Sequence, residues 1–476
     1  MASRRDLFQS YQFMVQRVIS GVVLRETDPI QTPLRKMIGS GFASVMIAVV
    51  ALAGTGLIGI FFGGTNTQWQ DGGAVIVEEE SGARFVWLPD EDGRMLLYPT
   101  ANFASAALLV GGTEIVGVSH ASLLEVPRGP RLGIADAPDS LPPPELMLGS
   151  PWTLCSLPTQ TISGARIPNT ALVVGKDITQ GSLTGDAAVL VKDIERGTLH
   201  MVWNGHQYPI PNPEPVLEGL TLRTVPQVEV GTAWLNALPS GLDLVPVPVA
   251  ERGAPSTAFP GAISGEVRYV ESADDKQYYQ VAAQQIVEIT EVQALILLAD
   301  PLIRNTAYAG RTPEELPLSA AEANLAQRVE LTEAAPTDPP ADQPAMAEIT
   351  EQEPTICASF EADQATPQIA VDAAVQGAEK ANTTQRVTEA GTVLADRVLV
   401  EEGYGTIVEG MASSTAEAGT RYLVTDEGRS YPLPSEDVQK MLGYGDFQPI
   451  ALPASLIARV PSGAALDPLA ARQSVG

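Results

Sequence analysis

Leu199-His200-Met201-Val202-Trp203-Asn204-Gly205-His206-Gln207-Tyr208-Pro209 reads as a β-hairpin. Asn-Gly between two apolar-rich runs supplies the two positive-φ positions of a tight two-residue turn. The same plan recurs: a short apolar strand, a polar turn, a second strand bearing Tyr, often a Pro, and a short helix. One copy runs from Arg84 through Trp87 to Tyr98-Pro99, with a helix expected over 102–110. Another runs from Val267 to Tyr278-Tyr279-Gln280-Val281, and Thr290-x-x-Gln293 reads as the capping box of its helix. The last runs from Arg421 to Tyr431-Pro432-Leu433-Pro434, with a helix expected over 435–442. The spacing between copies is irregular, which excludes a solenoid. Four small modules dispersed around another domain fit better. The bland alternative is four unrelated hairpins; against it stands Tyr-Pro recurring as Tyr98-Pro99, Tyr208-Pro209 and Tyr431-Pro432.

Two stretches between the copies read as linkers. Residues 138–144 are proline-rich. Residues 313–354 carry ten acids against one base, Arg328, with six prolines at Pro313, Pro317, Pro336, Pro339, Pro340 and Pro344 and another at Pro354. That composition predicts an extended loop or disordered insertion. Only two cysteines are present, Cys155 and Cys357. In an oxidising exterior compartment a single disulfide is the default reading, with two buried free thiols as the alternative.

Upstream of the hairpins, residues 41–64 are uncharged, within a gap in charge from Lys36 to Asp71. Over residues 42–62, from Phe42 through Val50 and Leu57 to Phe62, a helix would rise about 30 Å, the thickness of a hydrocarbon core. A single membrane-spanning anchor is expected. A cleaved signal peptide, cut near Ala51-Leu52-Ala53, is the rival, but the preceding segment is far longer than an ordinary n-region. Residues 4–25 read as an amphipathic helix, with Leu7, Tyr11, Met14, Val18 and Val22 at spacings of three and four. Its mixed face suits packing on a partner better than lying on lipid.

Charge orients the chain. Residues 1–40 hold six bases (Arg4, Arg5, Arg17, Arg25, Arg35, Lys36) and three acids (Asp6, Glu26, Asp28). The remainder has 29 − 6 = 23 bases and 57 − 3 = 54 acids, a net of −31. The positive-inside rule places the N-terminus in the cytoplasm and the acidic bulk outside it. Such an acidic excess argues against nucleic acid and anionic lipid as partners.

Few residues form a recognisable chemical pattern. Gly54-x-Gly56-x-x-Gly59 matches a dinucleotide fingerprint, but lies inside the apolar run, where no strand-turn-helix is expected. The chain has one Gly-Lys, Gly175-Lys176, followed by Asp177, so no Walker A loop exists. His200 and His206 fall on opposite faces of their hairpin and cannot share a metal. Acid pairs such as Asp274-Asp275 and Glu401-Glu402 read as solvated loop charges. No catalytic residue, cofactor site or metal site is assigned.

The order of these features resembles a known family: an N-terminal helix, one early apolar span, Trp152-Thr153-Leu154-Cys155, Leu235-Asn236-Ala237-Leu238-Pro239, Tyr278-Tyr279-Gln280-Val281, Cys357 and Tyr431-Pro432-Leu433-Pro434. It is similar to EccB, the single-span membrane subunit of actinobacterial type VII (ESX) secretion machinery, along nearly the whole chain. The resemblance implies a single-pass inner-membrane protein whose outer α+β region holds four hairpin/helix repeat modules around a central β-rich domain braced by one disulfide, here Cys155–Cys357. It implies a structural subunit of a secretion complex, with an FtsK/SpoIIIE-type ATPase, a multi-span subunit and a further membrane subunit as partners, and self-association. Two other readings stay open: a peptidoglycan-binding anchor using the hairpin aromatics, Trp87, Trp203, Tyr208 and Tyr431, and an ATPase, as some family members are labelled. Aromatics so placed are more often module core than sugar platforms.

The expected division is 1–40 (cytoplasmic), 41–63 (membrane), 64–130 (first module), 131–185 (central, with Cys155), 186–255 and 256–310 (second and third modules), 311–355 (acidic linker), 356–414 (central, with Cys357), 415–452 (fourth module) and 453–476 (tail).

Overall fold

The computed structural model of the chain describes residues 3–23, 25, 39–52, 67–160, 164, 166–176, 181–272, 276–375, 377, 380–413 and 415–475. The molecule is mixed α+β and separates into two compact units. Residues 1–71, 78–82 and 117–126 form one, and residues 72–77, 83–116 and 127–476 the other.

In the first unit, α1 (Arg4–Val23) occupies most of the stretch predicted from its three-and-four spacing. A second helix, α2, covers residues 39–52. Residues 53–66 lie outside the described residues, and with them Leu57, Phe62 and the Gly-x-Gly-x-x-Gly. Among the described residues no helix is long and apolar enough to cross a membrane. Elsewhere in this unit the Glu79 N–H donates to Val118 O at 3.0 Å, and His120 Nδ1 lies 2.6 Å from Glu78 Oε1.

The first sheet holds β1 (Val75–Glu78), β2 (Arg84–Pro89), β3 (Met95–Pro99) and β4 (Ile115–Val118), in the order β3-β2-β1-β4, with α3 (Phe103–Val110) between β3 and β4. Helix α3 starts where the Asn102 side chain accepts the Ser105 N–H at 2.9 Å, and stops at Gly111, whose φ of 77° only glycine adopts without cost. Then come three central strands, β5 (Trp152–Gln160), β6 (Arg166–Val174) and β7 (Ser182–Leu183). The plan repeats as β8 (Val189–Asp193), β9 (Thr198–Trp203), β10 (His206–Ile210), α4 (Pro213–Gly219), β11 (Val228–Val230) and α5 (Thr232–Leu235), ordered β10-β9-β8-β11. In its hairpin Trp203 pairs with His206, and Asn204 and Gly205 carry φ of 48° and 70°, the geometry the Asn-Gly turn predicts.

The third such sheet holds β12 (Val267–Glu271), β13 (Lys276–Val281) and β14 (Ile286–Ile289), followed by α6 (Glu291–Ala299), α7 (Pro301–Thr306), β15 (Leu316–Pro317), α8 (Ala320–Leu325) and β16 (Arg328–Val329). The Thr290/Gln293 capping box is present at the start of α6. Its order, β15-β12-β13-β14-β16, extends the same plan by one strand. Residues 316–329 were expected within a structureless linker. They fold because Ser319 and Glu322 form a capping box for α8, and the short strands dock parallel on β12 and β14. A bulk count of acids and prolines averages over these local signals. Residues 330–355 form no helix and no strand of the sheets above. They are tied down as an extended strap, with Leu242 N–H on Thr337 O (2.9 Å), Val292 N–H on Ala341 O (3.1 Å) and Ala347 N–H on Ala188 O (2.8 Å).

The central sheet resumes with β17 (Ile356–Phe360), β18 (Gln368–Val371), β19 (Asn382–Thr383) and β20 (Arg397–Leu399), giving the order β19-β20-β6-β5-β17-β18-β7. A fourth copy of the plan follows: β21 (Gly405–Met411), β22 (Thr420–Thr425), β23 (Ser430–Leu433), α9 (Glu436–Met441), β24 (Ile450–Pro453) and α10 (Ala454–Ile457), ordered β23-β22-β21-β24, before a terminal α11 (Pro468–Ala471).

Burial explains the apolar runs. The helix-covered faces of the first and fourth sheets share one core, in which Val86, Tyr98, Ala104 and Leu108 meet Leu423, Tyr431, Val438 and Leu442. The helix-covered face of the second sheet packs instead on the helix that follows the third, Met201, Tyr208 and Val216 against Val292 and Ile296 of α6. The opposite faces of the second and fourth sheets, through Val191, Val202, Val408 and Val424, pack with Trp152, Leu154, Leu172 and Phe360 of the central sheet. A sheet buried on both sides has no polar face, so Val189-Leu190-Val191 and Thr406-Ile407-Val408 read as continuous runs rather than alternation.

Candidate functional site

The feature that ties the second unit together is a covalent cross-link inside the central sheet. Strand β5 alternates, with Trp152 and Leu154 facing the shared core and Thr153 and Cys155 facing the other side. Strand β17 does the same with Ala358 and Phe360 against Cys357 and Ser359. The antiparallel register sets Cys155 directly opposite Cys357, and Thr153 opposite Ser359. The cysteines form a disulfide across a sequence separation of 202 residues, and both are fully buried. Thr153 and Ser359 join their hydroxyls at 3.1 Å on the same face.

A second device recurs in three of the four similar sheets. The tyrosine of each Tyr-Pro lies flat over a glycine much later in the chain: Tyr98 over Gly129, Tyr208 over Gly241 and Tyr431 over Gly463. A Cβ on any of these glycines would lie far inside van der Waals contact of the nearest ring carbon. The glycines arrive because the chain after each short helix returns parallel to the third strand, pairing Leu97 with Arg128, Gln207 with Ser240 and Ser430 with Ser462. In the third sheet the matching pair is Ile286 with Arg328, so the next positions are Val287 and Val329. Where the ring is replaced by valine, the glycine is too. This Pro-x-Gly signal (Pro127-Arg128-Gly129, Pro239-Ser240-Gly241, Pro461-Ser462-Gly463) is visible in the sequence, but lies well beyond each hairpin, whose local pattern does not point to it. Burial raises the pKa of all three tyrosines, to about 12 for Tyr208, so the hydroxyls stay protonated at neutral pH. For Tyr98, carboxylates Asp90 and Glu91 of the adjoining turn add to the effect, and for Tyr431, Glu427 does. Tyr431 Oη donates to Glu427 Oε2 at 3.2 Å.

A cleft of about 1170 Å3 opens where the β9–β10 turn, the 330–355 strap and the β17–β18 connection meet. Gly205 seats the turn against the strand-to-strand loop, since a Cβ there would lie 2.6 Å from Pro367 O. The Trp203 indole donates to Asp186 O at 3.0 Å.

The residues singled out on α1 are not brought together with any of this. Leu7, Tyr11, Met14, Val18 and Val22 are all solvent-facing, at 60–79 % exposure, as are Phe42 and Val50 of α2 at 70 % and 65 %. Of the hairpin aromatics, Tyr208 and Tyr431 are buried core, whereas Trp87 and Trp203 are half-buried. Among the described residues no group of three or more His, Cys, Asp or Glu is placed to hold a metal. The pairing of Trp203 with His206 leaves His200 on the opposite face of its hairpin.

His200 carries a pH dependence of its own. Burial pushes its imidazole below the usual value, with Asp193, Arg196 and Asp243 as the nearest charges. The folded state therefore prefers neutral His200. The stabilisation is fully present above the unfolded pKa, about 6.5, and is lost as pH falls through the lowered folded value. The melting temperature should drop below that pH, and His200→Gln should reduce the acid-side slope. A variant profile parallel to that of the parent between pH 5 and 8 would refute the assignment.

Three comparisons bear on this architecture. A family model described as "Type VII secretion system ESX-1, transport TM domain B" (EccB) matches residues 1–475. The chain is 24 % identical to "ESX-3 secretion system ATPase EccB3" of Mycolicibacterium smegmatis, over 99 % of this chain and 91 % of that protein. It is 28 % identical to "ESX-5 secretion system ATPase EccB5" of Mycobacterium tuberculosis, over 68 % of this chain and 63 % of the relative. Its fold is similar to a chain of an intact ESX-5 inner membrane complex, at a TM-score of 0.60 and 21 % identity, covering 100 % of this chain and 96 % of that one. It is also similar to a chain of an EccB3 dimer from the ESX-3 core complex, at 0.59 and 22 %, covering 84 % and 100 %.

Proposed function

The chain belongs to the EccB family of type VII secretion proteins, and from that premise we propose that it is a structural subunit of an ESX-type inner-membrane secretion complex. The observation that carries the proposal is end-to-end correspondence: the family model spans residues 1–475, and the fold follows an ESX-5 complex subunit along the whole chain. A disulfide-braced body built of similar sheets suits a frame that must hold its shape while neighbours move.

In this reading residues 42–62 cross the membrane once, with the N-terminus in the cytoplasm and the acidic region outside. The exposed apolar side chains Leu7, Tyr11, Met14, Val18 and Val22 of α1 offer a surface to a cytosolic partner, the FtsK/SpoIIIE-type ATPase or a multi-span subunit. The four similar sheets are repeats of one module, the first followed by its closing turn at Gly129 and the last by its own at Gly463. Relatives carry the word ATPase in their names. With no Walker A sequence in this chain, no nucleotide-binding residue is carried over from them. A wall-binding role loses the Tyr208 and Tyr431 rings, which are buried beyond the reach of a glycan.

Extraction of membranes in mild detergent should recover the 50.2 kDa chain in a native-gel band many times its own mass, with other secretion subunits. Tyr11→Asp/Met14→Asp should shift it out of that band without lowering its amount. Recovery of the parent chain only as a free monomer would refute the assignment.

A further inference from the structure

The cleft beside β7 is built from three walls that backbone contacts hold in place, so it exists before anything enters it. One wall is a sheet edge. Strand β7 is the last in the central sheet, and among the described residues nothing pairs with its outer side. Thr184 N–H donates inward to Ile369 O at 3.0 Å, and Leu183 pairs with Ala370. The alternation of an antiparallel ladder therefore turns the N–H and C=O of Leu183 outward, away from β18. An unpaired edge of this kind is a template for another strand.

The side chains around that edge are apolar and exposed. Leu183, Leu242 and Leu331, from three separate segments, are 61 %, 57 % and 44 % exposed and line one concavity, with Trp203 beside them. Its ionisable lining is Asp186, Asp338 and His206, with no Lys or Arg. The strap wall adds only negative charge, because no base occurs between Arg328 and Lys380. At about 1170 Å3 the cleft exceeds the usual range for small-molecule pockets.

We propose that this cleft binds an extended, cationic peptide segment of a partner protein, which adds as a strand to the free edge of β7. Main-chain groups of the incoming segment pair with Leu183, its alternate apolar side chains meet Leu242 and Leu331, and its basic side chains face Asp186 and Asp338. Affinity comes from the edge and the leucines, and selection between partners from the two carboxylates.

The test uses the full chain in mild detergent and fluorescence anisotropy of labelled octapeptides: alternating lysine and valine, its mirror-image form made of D-residues, and alternating glutamate and valine. The L-lysine peptide should bind at least tenfold more tightly than either of the others, and Asp186→Asn/Asp338→Asn should weaken it at least fivefold. Among the described residues the Asp186 carboxylate makes no hydrogen bond or ion pair, and asparagine keeps the oxygen with which Asp338 accepts the Ala335 N–H, so the variant should retain the fold. Equal binding of the L- and D-lysine peptides would reduce the effect to general attraction by an acidic protein and overturn the proposal. So would binding indifferent to the double variant, displacement of the peptide by an N-acetylglucosamine hexamer, or a variant that changes only the oligomeric state.

Discussion

Cys155→Ala/Cys357→Ala should unfold in urea at an unfolding free energy about 4–5 kcal/mol below the parent, close to the upper end for loss of a native disulfide. The size follows from the loop. The cysteines are 202 residues apart, and the chain entropy released to the unfolded state grows with the logarithm of that length. The loop encloses the four-stranded sheet β8–β11 and the five-stranded sheet β12–β16, so the cross-link restricts a large share of the unfolded ensemble. The denaturant slope should rise as well, because the uncrosslinked unfolded chain exposes more surface. Both sulfurs are fully buried, so a thiol reductant should act slowly on the native protein and quickly once denaturant opens the sheet. A loss below about 1 kcal/mol would mean that β5 and β17 hold together without the bond, and that the brace is incidental.

Gly463→Ala should cost about 3 kcal/mol, at the upper end for overpacking. The new methyl group would lie far inside van der Waals contact of the Tyr431 ring, and that ring is 1 % exposed and packed in the core. Tyr431→Val alone should cost about 3 kcal/mol by leaving a cavity. The informative variant is Tyr431→Val/Gly463→Val, which copies the Val287/Val329 solution of the third sheet. Its cost should fall short of the sum of Tyr431→Val and Gly463→Val by at least about 2 kcal/mol, the signature of two positions in direct contact. Additive losses in thermal or urea unfolding would show that ring and glycine are neighbours without being partners.

The hairpins were legible because their signals are local. Asn204-Gly205, the Thr290/Gln293 box and alternating runs act within a few residues, and each appears in the structure where the sequence puts it. The seven-stranded central sheet was not legible as a sheet. Its strands come from residues 152–183 and 356–399, and pairing across such a distance leaves no periodic trace in either segment. Trp152-Thr153-Leu154-Cys155 carried resemblance to a family, but no residue in it announces Ile356–Phe360 as its neighbour. The acidic stretch 313–354 misled for a different reason. Its prolines and acids are real, yet Ser319-x-x-Glu322 lies inside it and directs a helix that bulk composition conceals. Of the cleft, Trp203, Asn204, Gly205 and His206 could be placed on their hairpin beforehand. Leu183, Leu242 and Leu331 could not, since only the fold brings them together.

The order in which the cores close has a temporal meaning. Along the chain the first sheet joins the fourth and the second joins the helix that follows the third, like brackets within brackets. The inner pair has its strands and helices by Val329, and its strap contact with Ala188 by Ala347. The outer pair must wait for the last residues: Leu466 and Ala471 complete the core that contains Tyr98, Gly133 N–H donates to Gln473 O, and Val475 N–H donates to Arg131 O. A chain emerging from its N-terminal end therefore exposes the apolar face of the first sheet for longest. Closure of that core waits on Leu466, Ala471, Gln473 and Val475, more than 300 residues later in the chain.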